Sequence, residues 1–125
     1  MKTIFYSNGI NEIKRKLDNS TYHQIQDINF EIIDSFESLT KQMCRPLNHV
    51  SVIVAWLKKK SELENLVALS PLLENTRMIL VLPDREKQTM SLGVKLKPSF
   101  ISYQDNNFED IITVLKKIQT VKRII

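Results

Sequence analysis

Apolar positions along this chain follow two patterns in turn, short uninterrupted runs and longer stretches at helical spacing, and the alternation predicts a strand-helix series. Thr3 to Tyr6 is short, apolar and rich in β-formers, and it stops at Ser7-Asn8-Gly9, a turn signal that also opens a helix. Ile10, Ile13 and Leu17 then recur at helical spacing around Lys14, Arg15 and Lys16, until Asp18-Asn19-Ser20 breaks the pattern. A second strand, Asn29 to Ile33, gives way at Asp34-Ser35 to a helix over Phe36 to Cys44. Val50 to Leu57 is β-branched and almost continuously apolar, as a central strand covered on both faces must be.

Downstream, Ser61 and Glu64 form a candidate capping box for a helix with a buried stripe of Leu63, Leu66, Val67 and Leu69, weakening near Ser70-Pro71. Met78 to Leu82 is a second fully apolar run, ended by Pro83-Asp84, and Arg85 to Leu92 reads as a helix closed near Gly93. Phe100 to Tyr103 makes a fifth strand. The last helix, Phe108 to about Lys122, carries Ile111, Leu115 and Ile118 on one face, with Glu109 and Asp110 in a first turn that favours acidic side chains. Five such repeats predict an α/β domain over residues 1–125, a doubly wound five-stranded parallel sheet with helices on both faces.

Composition narrows the function classes. A chain of 125 residues with 42% hydrophobic and 26% charged positions suits one buried core. The net charge of +4 comes without a dense basic stripe, so no strong nucleic-acid signal is present. Cys44 is the only cysteine, which excludes an intrachain disulfide, a zinc cluster and a CxxC pair, and a reducing, cytoplasmic setting is expected. No apolar run reaches bilayer-spanning length and the amino-terminal apolar stretch is too short for an export signal, so no membrane association is expected.

The strand-helix order resembles the response-regulator receiver family, and the resemblance covers essentially the whole chain. It rests on Ile32 to Leu39 before the third strand, on Arg77 to Leu82 after the Pro71-Leu72-Leu73 helix end, and on the spacing from Leu82 to Phe100-Ile101-Ser102-Tyr103. It implies the strand order 2-1-3-4-5. It also implies a phosphoryl-transfer edge: an acidic pair after strand one, an aspartate nucleophile after strand three, a Ser/Thr after strand four and a lysine after strand five. The carboxylates hold Mg²⁺ through hard oxygen ligands, and the lysine and hydroxyl stabilise the phosphorylated product.

This chain departs from that pattern at every chemical position. Ser7 and Asn8 stand where the acidic pair belongs, Ala55 at the nucleophile's place, Leu82 at the hydroxyl's and Tyr103 at the lysine's. Glu62 is the nearest carboxylate downstream of Ala55. The expectation is therefore a degenerate receiver, a pseudo-receiver: not an enzyme, with no metal and no cofactor, engaging a protein partner or a second copy of itself in signal transduction or regulation. The resemblance suggests an interaction surface around Lys95, Lys97, Tyr103 and Lys117.

An alternative keeps the same edge as a small-ligand pocket, with Ser7, Asn8, Trp56 and Gln104 converging where open α/β sheets bind ligands. Trp56 is as readily a core side chain filling the vacated phosphate site. Ser7-Asn8-Gly9 could offer N–H groups to an anion, but an N-cap and turn account for it more simply. Asp84-Arg85-Glu86 suits the first turn of a helix, and Lys58-Lys59-Lys60 a solvated loop. His23 and His49 have no ligands at metal spacing, Cys44 beside Arg45 reads as an inert thiol, and Ile124-Ile125 would pack on the domain or in a dimer.

Overall fold

The computed structural model describes residues 2–7, 29–45, 49–103 and 108–124. Five parallel strands, β1 (Lys2–Tyr6), β2 (Asn29–Ile33), β3 (Val50–Trp56), β4 (Arg77–Leu82) and β5 (Phe100–Tyr103), form one sheet in the order β2-β1-β3-β4-β5. Four helices are described: α1 (Phe36–Cys44), α2 (Lys60–Ala68), α3 (Lys87–Lys95) and α4 (Phe108–Ile124), and a 3-10 turn, Ser70–Leu72, follows α2. The strand order matches the sequence expectation. The predicted helix over Ile10 to Leu17 lies outside the described residues.

Period-two alternation along the strands divides the core in two. On one face Ile4, Tyr6, Ile53, Ala55, Leu80 and Leu82 pack with Leu39 of α1, Leu63 and Leu66 of α2 and Leu96 after α3. On the other, Phe5, Val54, Trp56, Ile79 and Val81 pack with Ile111, Ile112 and Leu115 of α4, and Phe5 meets Phe30 edge to face at 5.5 Å. Residues 52–56 of β3 and 78–82 of β4 are all buried, which is why these strands read as unbroken apolar runs. Each such aliphatic side chain contributes about 1.5–3 kcal/mol on burial. The partly exposed Lys2–Glu31 pair at 3.6 Å across β1 and β2 contributes far less.

Helix ends follow ordinary capping chemistry, with two corrections to the sequence reading. Ser35 caps α1 by accepting from the Ser38 N–H at 3.1 Å. In α2 the N-cap is Lys59, so Ser61 and Glu64 form no capping box; Glu62, three residues past the cap, reaches back instead and accepts from the Lys58 N–H at 3.0 Å. The third helix begins at Lys87 and runs through Gly93 to Lys95, so Gly93 does not close it.

Gly93 is buried where α3 crosses β4, and a Cβ there would meet the Leu80 and Leu82 methyls at 3.5 and 3.6 Å. Closure falls to Lys97, in the left-handed region at φ 50°, whose N–H donates to the Val94 carbonyl at 3.0 Å. That place normally takes glycine, and a side-chain-bearing residue there costs about 1 kcal/mol. Pro98 behind it stops any continuation.

Because contacts at 3.5 Å and beyond are ordinary packing distances, Gly93→Ala is expected to stabilise the fold by about 0.5–1 kcal/mol through helix propensity. Urea denaturation with an unchanged m-value checks it, and destabilisation would show that α3 has no room to accept the methyl.

Candidate functional site

In open parallel sheets the carboxyl ends of the strands form the edge where chemistry collects. Here the ends of β1, β3 and β4 stand side by side, with Tyr6 paired to Ala55 and Ala55 paired to Leu80. Tyr6, Ala55, Leu57, Leu80 and Leu82 share one cluster and are all buried, so a large side chain sits opposite a small one at the place where the receiver pattern has its nucleophile.

The Tyr6 hydroxyl closes no hydrogen bond to the described residues. Burial first, and the nearby Glu62 carboxylate second, push its pKa up to about 12. Glu62 is itself buried, and its Oε2 accepts from the Lys58 N–H, which holds it at the start of α2.

Beyond β4 the chain is arranged by Asp84, whose Oδ1 accepts from the Glu86 N–H at 3.0 Å in an Asx turn leading into α3. The Thr89 hydroxyl beside it and this N–H hold the Asp84 carboxyl below the usual carboxylate range, with Lys60 adding a smaller attraction. Lys60 Nζ donates to Gln88 Oε1, linking the first turns of α2 and α3. The Arg85 guanidinium lies 4.1 Å above the ring of the half-buried Tyr103, a cation–π contact contributing about 0.5–1 kcal/mol.

The residues singled out from the sequence divide sharply. Ala55 and Leu82 lie wholly in the core. Ser7 is buried and its N–H donates to the Ile33 carbonyl at 3.1 Å, continuing the ladder past β1. Trp56 is 1% exposed and packs with the α4 side of the core, the opposite face from Ala55. Ser7 and Trp56 thus present no open wall, while Asn8, Gln104, His23 and Ile125 lie outside the described residues, as does the Ile124 side chain.

Lys95 ends α3 and Lys97 follows it at the amino-terminal end of the sheet, Tyr103 ends β5 at the carboxyl end, and Lys117 lies on α4, the helix that covers the other face. Cys44 and His49 are exposed, and no group of three metal-ligating side chains occurs among the described residues. Among those residues no helix is long and apolar enough to cross a membrane.

Sequence reasoning overlooked Tyr6 as a participant and treated Glu62 only as the nearest carboxylate downstream of Ala55. Two signals existed: Tyr6 is the last apolar residue before a polar turn, and Glu62 stands at the third helical position after a basic run, where a carboxylate folds back on the backbone.

Solved structures supply the comparison that this geometry calls for. The chain is similar to a pilus assembly-related protein from Burkholderia pseudomallei K96243, with a TM-score of 0.68 and 13% identity, covering 94% of this chain and 87% of that one. It is also similar to a response regulator protein from Burkholderia pseudomallei with a phosphorylated aspartic acid, a calcium ion and citrate, with a TM-score of 0.67 and 12% identity, covering 98% of this chain and 73% of that one. The fold is receiver-like. At these identities the likeness is one of architecture, and the phosphorylated aspartate belongs to the other protein. No family model and no curated protein matches the sequence.

The Tyr6 environment sets a pH dependence with a definite sign. Its folded pKa is raised above the unfolded value of 10.0, so the contribution is fully present below pH 10 and is lost as pH rises towards about 12. Tyr6→Phe is expected to abolish that component, and to raise stability near pH 7 by about 1 kcal/mol because it removes a buried hydroxyl that has no hydrogen-bond partner among the described residues. Urea titrations of both proteins at pH 7, 10 and 11 check it, and parallel pH profiles would contradict the assignment.

Proposed function

We propose that this chain is a pseudo-receiver, a non-catalytic domain that acts through phosphorylation-independent protein-protein contacts in signal transduction or regulation. The observation that carries the reading is Ala55, wholly buried between Tyr6 and Leu80 at the nucleophile's place. A methyl group can neither attack a phosphoryl donor nor help hold the divalent cation that receiver chemistry uses.

The neighbouring positions support the same reading. Leu82, in place of a hydroxyl, is part of the apolar core. Tyr103, in place of a lysine, lies under the Arg85 guanidinium, which makes that corner a packed contact. The Glu62 carboxylate lies close to Tyr6, and it is held by the Lys58 N–H just before α2. A receiver whose edge is packed shut retains its helical surfaces for recognition, and these are what such a domain offers a protein partner, with no cofactor needed.

Acetyl phosphate with Mg²⁺ is expected to leave the intact mass unchanged. Beryllofluoride is expected to leave the amide spectrum, and the oligomeric state by sedimentation, where they were. A labile adduct of phosphoryl mass, or a beryllofluoride-induced change around residues 55–62, would overturn the proposal.

A further inference from the structure

We draw no further inference here: the strongest candidate, the open groove between α2 and α3 lined by Lys60, Glu64, Lys87, Gln88, Ser91 and Leu92, is a surface of mixed charge, and nothing in the structure shows what covers it.

Discussion

β3 is hydrogen-bonded on both sides, to β1 and to β4, and covered on both faces, and the rest of the molecule is arranged around that requirement. A strand in this position cannot leave a backbone group unpaired or a polar side chain unmatched without a cost of several kcal/mol. The sequence meets the demand with Val52, Ile53, Val54, Ala55 and Trp56, all buried. The alternating side chains then dictate which helices lie where: the Ile53 and Ala55 side is closed by α1, α2 and α3, and the Val54 and Trp56 side by α4.

The same requirement reaches the carboxyl edge, where a catalytic receiver needs charge. Charge at the end of a central strand is tolerable only when a cation and hydrogen-bond donors surround it. Here the apolar character of β3 continues to its last residue, and the neighbouring positions follow suit, with Leu82 buried and Tyr6 presenting an aromatic ring. Polar groups persist one step further out, each tied to backbone or to a neighbour. Glu62 holds the Lys58 N–H, Asp84 holds the Glu86 N–H, and Arg85 covers Tyr103. Among the described residues the ends of β1, β3 and β4 are packed.

Much of this was legible in the residues. Fully buried strands announce themselves as unbroken apolar runs, so Val50 to Leu57 and Met78 to Leu82 identified β3 and β4, and Asp34-Ser35 marked the start of α1. The apolar identities of Ala55 and Leu82 were legible too, and both lie in the core. Helix boundaries were less so. Gly93 carries the composition of a stop signal, yet its lack of a side chain serves the crossing of α3 over β4, while Lys97 performs the stop without the residue type that usually marks it. Ser61 and Glu64 have capping-box spacing, but the helix begins earlier and Glu62 answers the backbone.

By itself, then, the sequence determined the order of the described elements and the parallel sheet, because each follows from local pattern and residue identity. Tertiary structure alone decided which side chains meet. It placed Trp56 in the α4 core and not in a pocket wall, brought Glu62 close enough to Tyr6 to raise its pKa, and stacked Arg85 on Tyr103. It also separated Lys95 and Lys97 from Tyr103 by the length of the strands. Such encounters join residues from different strand-helix units, and their distances depend on how the units twist and pack, which no local pattern encodes.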